Sequence, residues 1–128
     1  MIVDTSALVA VILGEPDAEG YLRAMSGAES LMVSAATLTE ALIVVEARQG
    51  RDAASDLAAL LAEVEAEVVS VDESQAELAA SAYRRFGKGR HPAALNFGDT
   101  FSYALAAARG ETLLYKGDDF AATDVLSA

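Results

Sequence analysis

The chain has no cysteine and no tryptophan, and it holds one histidine and two prolines in 128 residues. Without cysteine it can form no disulfide, thiolate metal site or thiol nucleophile, and redox chemistry leaves no mark of its compartment. Long apolar runs are also missing. Gly or Glu interrupts each of them well short of the roughly 20 residues that cross a bilayer, and Met1 leads into a strand with no basic leader before it. The expectation is a soluble, cytoplasmic protein that makes no use of a membrane. Positive charge is scarce, with nine Lys and Arg against twenty Asp and Glu and a formal net charge of −11. That balance argues against a general nucleic-acid-binding surface, whose affinity comes from cations neutralising phosphates. The exception is local. Arg84, Arg85, Lys88 and Arg90 fall in one short window beside His91, the only basic stripe in the chain.

The length suits one domain, residues 1–128, large enough to bury a core without staples. Ile2-Val3 reads as a short buried strand and Ala7 to Leu13 as a helix stopped by Gly14. Pro16 suits the first turn of a second helix, Asp17 to Met25. A second strand lies within Ser30 to Ser34. Thr37-Leu38-Thr39-Glu40 has the form of a capping box opening a helix to Arg48, with Gly50 as its stop. Asp52 to Glu65 is a further helix with apolar residues three and four apart, forming a hairpin with the one before. Glu67 to Val71 is the third strand, and Asp72 caps a helix through Phe86. Gly87 to Asn96 is the longest irregular stretch, of the kind that often carries function. Phe97 to Arg109 is the last long helix, Thr112 to Tyr115 the fourth strand, and Val125-Leu126 a possible fifth. Strands alternating with helices predict a parallel sheet covered on both faces.

Acids recur just past the strands: Asp4 after the first, Glu40 beyond the second, Asp99 on the helix leading to the fourth, and Asp118 with Asp119 just past the fourth. Taken singly, each reads most simply as a helix-capping residue. Taken together they differ, because such junctions converge on one edge of a doubly wound sheet, where ligands bind. Several carboxylates there repel one another unless something positive lies between them. Mg²⁺ or Mn²⁺ meets that need with oxygen ligands alone, the kind of site a chain without cysteine and with one histidine builds most easily. Metal-assisted hydrolysis of a phosphodiester is the chemistry that follows.

Met1-Ile2-Val3-Asp4-Thr5-Ser6-Ala7-Leu8, Thr39-Glu40, Leu95-Asn96-Phe97-Gly98-Asp99-Thr100-Phe101-Ser102-Tyr103-Ala104-Leu105-Ala106, and Lys116-Gly117-Asp118-Asp119-Phe120 followed by Thr123-Asp124-Val125 occur in that order. In these runs the chain resembles the PIN-domain ribonucleases, specifically the VapC toxins of bacterial toxin–antitoxin pairs. The resemblance implies a three-layer α/β/α sandwich with a central parallel sheet of four to five strands. It implies a Mg²⁺- or Mn²⁺-dependent endoribonuclease acting on structured RNA, commonly tRNA, with Asp4, Glu40, Asp99 and Asp118 or Asp119 as catalytic metal ligands. A homodimer is implied too, and a cognate VapB-type antitoxin that forms a hetero-oligomer with it and covers the active site. Of the last acids, both are expected near the metal, one directly and one through water.

Thr5 and Ser6 are expected behind the ligands, supporting them. Arg84, Arg85, Lys88, Arg90 and His91 are candidate RNA contacts, with the alternative that they only complement the end of a helix. Phe97, Phe101 and Tyr103 could stack on bases, but their helical spacing favours the core. Two rival classes are weaker. A haloacid-dehalogenase-like phosphatase needs a second acid two residues after the first, where this chain has Ser6. A receiver-type signalling domain would use Asp72 and Lys116, but it wants an acidic pair at the end of the first strand, which Asp4-Thr5 does not supply.

Overall fold

In a computed structural model describing residues 1–128, the chain folds around four very short parallel strands. The elements are β1 (Ile2–Val3), α1 (Thr5–Ile12), α2 (Ala18–Gly27), β2 (Met32–Ser34), α3 (Ala35–Gln49), α4 (Ala53–Glu63), β3 (Glu67–Val69), α5 (Glu73–Phe86), α6 (Phe97–Arg109) and β4 (Leu113–Leu114), followed by a 3₁₀ turn at Phe120–Ala122. The strand order is β3-β2-β1-β4, so β1 lies inside the sheet, with Ile2 opposite both Met32 and Leu113. All pairings are parallel. The carboxyl ends of the strands therefore share one edge, and Asp4, the start of α3 and the segment after β4 are brought to it by topology alone.

Side chains alternate across a strand, and here that alternation builds two cores. Val3, Val33 and Leu114 point to one face, where they join Leu8, Met25, Val45, Leu57 and Leu61. Ile2, Met32 and Leu113 point to the other, joining Phe86, Leu95, Tyr103 and Leu105. One residue per face from each of three adjacent strands makes the middle layer of an α/β/α sandwich. Leu57, fully buried, contributes on the scale of 2–5 kcal/mol relative to alanine at a packed core position.

Two local expectations are corrected. The helix after β2 begins at Ala35 rather than at Thr37: Ser34 is its cap, accepting a hydrogen bond from Ala36 N–H, and Glu40 lies inside the helix. The capping-box reading fails because a better cap stands three residues earlier at the strand end, while Thr37 is buried and Thr39 bonds back to Ala35 C=O. The possible fifth strand reduces to a single bridge between Leu113 and Ser127. The irregular stretch after α5 is tied at its base by a bridge between Gly87 and Leu95, and Leu95 is fully buried. No helix is long and apolar enough to cross a membrane.

Candidate active site

Asp4 is 3 % exposed and caps α1. Its Oδ2 accepts from Ser6 N–H at 3.0 Å and Ser6 Oγ–H at 2.7 Å, and its Oδ1 accepts from Ser102 Oγ–H at 2.5 Å. Two hydroxyls and one backbone amide thus satisfy the buried carboxyl group and fix its direction. The cap reading of Asp4 is thus correct, and it coexists with a place at the sheet edge. Behind Ser102, its hydroxyl lies 3.0 Å from that of Thr37, both buried, so a Thr37–Ser102–Asp4 chain runs from α3 through α6 to β1.

Thr5 and Ser6 support two different acids. Thr5 Oγ1 donates to Glu40 Oε1, joining α1 to α3. Ser6 Oγ, besides donating to Asp4, accepts from Lys116 N–H at 2.9 Å and so positions the segment after β4. Lys116 Nζ donates to Glu15 at 3.0 Å and Asp17 at 3.1 Å, fastening that segment to the turn between α1 and α2. Gly117 then takes φ +100°, a conformation L side chains rarely adopt, and the chain turns into Asp118-Asp119. Glu40 lies against α6 where Gly98 leaves room, since a Cβ there would run into its carboxylate.

Asp99 occupies the first turn of α6 in a reciprocal capping box with Asn96. Burial pushes its carboxyl up to about 7, against the hydrogen bond from Asn96 N–H that favours the charged form, and the charges of Asp4, Asp119 and Glu40 add to the rise. Acids from β1, α3, α6 and the segment after β4 therefore act on one another. Both acids after Gly117 are exposed, and of the two only Asp119 acts on Asp99. No lysine or arginine relieves the group: Lys116 is engaged by Glu15 and Asp17, and Arg85 by Asp124 at 2.8 Å.

The donors present are carboxylate oxygens without thiolate or imidazole, which is the chemistry of a hard divalent cation. No three acids stand close enough in this conformation to enclose an ion. Burial first, and the like charges of Asp4, Asp119 and Glu40 after it, raise the carboxyl of Asp99 to about 7. The arrangement fits a cation in its donor chemistry and in its unrelieved charge.

The basic window divides. Arg85 bonds Asp124 and Tyr103 and lies over the Phe86 ring at 4.6 Å. His91 Nδ1 accepts from Ala93 N–H, and its ring meets the edge of Phe86, so it stabilises its own turn. Arg90 lies over Tyr83 at 5.9 Å. Arg84 and Lys88 line an open groove beside the N-terminus of α6. Of the three aromatics read as core, Tyr103 is buried and Phe101 half-buried, but Phe97 is 77 % exposed. Sequence reading also missed Ser102 and Thr37 as supports. A signal existed: each stands three residues from a candidate acid on the same helix face, Ser102 from Asp99 and Thr37 from Glu40.

A four-stranded parallel sheet with helices on both faces and acids placed past its carboxyl edge sets the class of fold, and residues 1–126 match the family model described as the PIN domain. The chain belongs to the PIN-domain family, in its VapC ribonuclease branch. It is 47% identical over 125 residues to the Ribonuclease VapC of Mycolicibacterium smegmatis, covering 98% of this chain and 97% of that one. The fold matches that of VapC20 of Mycobacterium tuberculosis, described as a sarcin–ricin loop cleaving toxin, with a TM-score of 0.82, 23% identity and coverage of 99% and 97%. A toxin–antitoxin complex from Klebsiella pneumoniae matches with a TM-score of 0.72 at 16% identity, covering 99% of this chain and 95% of that one. Likeness at these last identities speaks for the fold.

Proposed function

We propose that this protein is a metal-dependent endoribonuclease, the toxin of a toxin–antitoxin pair, and that Asp4, Glu40, Asp99 and Asp119 hold Mg²⁺ or Mn²⁺. The observation that carries the reading is the convergence of carboxylates from four separate segments with no basic side chain among them. A divalent ion bound there supplies a water of lowered pKa and neutralises charge building on a scissile phosphate. The chain's own residues do the rest. Ser6 and Ser102 keep Asp4 aimed, Thr5 orients Glu40, and Asp99 would give up its proton on binding a cation. Asp119 is assigned the direct contact among the last acids because its charge acts on Asp99, and Asp118 the contact through water.

The substrate proposed is a loop of structured RNA, with tRNA as the first candidate. The sarcin–ricin loop activity stated for VapC20 makes ribosomal RNA the second. A VapB-type antitoxin is the proposed partner, supported by the family and by the fold's match to a toxin–antitoxin complex, together with a homodimer of the toxin. The test is a digest of total RNA by purified protein with Mg²⁺, with Mn²⁺ and with EDTA. Discrete fragments with either metal and none with EDTA are expected, and Asp4→Asn is expected to produce none while remaining folded by circular dichroism. Intact RNA in every arm, or equal cutting by the Asn variant, would sink the proposal.

A further inference from the structure

Phe97 is the most exposed large apolar side chain of the protein, with 77 % of its surface open, and it stands two residues before Asp99. Its ring makes a T-shaped contact with Phe101 at 5.0 Å and 84°, which holds it in place while leaving most of it to solvent. The ring is a ridge shared by two grooves. One, of about 570 Å³, runs along α3 and has Glu40, Ile43 and Gly98 in its wall, so it reaches an acid of the proposed metal site. The other, of about 820 Å³, is lined by Tyr83, Arg84, Lys88 and Asn96. Arg84 and Lys88 make no ion pair, whereas Arg85 and Lys116 are both bound to acids.

A ligand that suits the ridge and both grooves carries flat apolar units along a chain of negative charge. Single-stranded RNA has that chemistry: its bases stack on aromatic rings and its phosphates pair with cations. An apolar protein surface would be served by Phe97 alone and would leave two free cations in the groove unused. We propose that Phe97 is the platform on which a nucleobase next to the scissile phosphate stacks, and that Arg84 and Lys88 hold the strand's phosphates in the groove beyond it. This deepens the ribonuclease reading and rests on it for the position of the scissile bond. It also answers the repulsion that a chain of net charge −11 presents to RNA, by placing its unpaired cations along the strand's path.

The probe is a single-stranded 12-mer oligoribonucleotide substituted with 5-iodouridine, bound to the full chain in EDTA so that nothing is cut. Irradiation is expected to crosslink it to the peptide containing Phe97. Phe97→Ala is expected to weaken binding about ten-fold, the scale of one lost base stack, and Phe97→Trp to restore it. Arg84→Gln with Lys88→Gln is expected to reduce the slope of log Kd against log salt by about 1.4, two single-strand phosphate contacts. Crosslinks elsewhere together with unchanged affinity of the Ala variant would overturn the proposal. So would a Phe97→Ala protein that changes from dimer to monomer by light scattering while binding RNA like the wild type, since the face would then join two copies. Loss of binding in the Ala variant when the wild type cuts no RNA with Mg²⁺ or Mn²⁺ would retain the stacking site and defeat the ribonuclease reading. Unimpaired binding by that variant beside an active wild type would do the reverse.

Discussion

Asp99 and Asp124 are two carboxylates of one chain with opposite fates. Asp99, at the start of α6, is pushed up to about 7 by burial and by Asp4, Asp119 and Glu40. Asp124, beyond β4, is held below the usual carboxylate range because Tyr103 O–H and the Arg85 guanidinium donate to it. Tyr103 lies one turn along α6 from Asp99, so a single helix serves both environments. Where charge serves the fold, a cation and a phenol are supplied; at the sheet edge the acids are left without one. That missing counter-charge is what the proposed cation would supply.

Breaking the acid centre is expected to have the largest effect. Asp4→Asn or Asp99→Asn is predicted to lower cleavage of total RNA with Mn²⁺ by at least roughly 10²-fold, the scale seen when one electrostatic element of a water-excluded site is removed. Removing a support should cost less. Ser102→Ala leaves one oxygen of Asp4 without its donor and is predicted to weaken Mn²⁺ affinity about 10- to 100-fold, measured by calorimetry, with the fold intact.

The comparison also predicts opposite effects on stability. Asp99 has a folded pKa above its unfolded value of about 3.8, so the folded chain holds a proton the unfolded one loses, and this group makes metal-free stability fall as pH rises from about 4 to about 7. Asp99→Asn should therefore stabilise the metal-free protein at pH 8. The full shift corresponds to ~4 kcal/mol, which solvent on the open side of the carboxylate reduces to on the order of 1–2, or about 3–6 °C in Tm. The gain should vanish near pH 4. Asp124 has the other sign: its folded pKa is lowered, so its contribution is present above the unfolded pKa and is lost as pH falls through the folded one. Asp124→Asn is predicted to lower Tm at pH 7 by only about 2 °C, since the pair with Arg85 is half exposed, and by progressively less as pH falls below the unfolded pKa.

Much of this was legible in the sequence. Asp72 caps α5 as read, Gly50 and Gly110 stand just past the ends of α3 and α6, and the order of strands and helices is the one found. These features are local, fixed by residue type within a few positions. What escaped reading depends on contacts far apart in the chain. Ser102 reaches Asp4 across 98 positions, and its place one turn from Asp99 marks the helix face it shares but not the acid it bonds. Phe97 has the spacing of a core residue, and it is exposed because Gly98 and Thr100, rather than Phe97, face the interior at the start of α6. The basic window was one stripe in sequence and is two groups in space, since a helix separates the directions of Arg84 and Arg85.

The central claim is that the carboxylates around Asp99 hold a divalent cation, and calorimetric titration of Mn²⁺ into the metal-free protein at pH 7, in two buffers of different ionisation heat, tests it without any RNA. The account predicts saturable binding with release of roughly half a proton per ion, because Asp99 near pKa 7 is then about half protonated, and loss of both binding and release in Asp99→Asn. Absence of binding to the wild type, or binding of the same strength by the Asn variant, would contradict it.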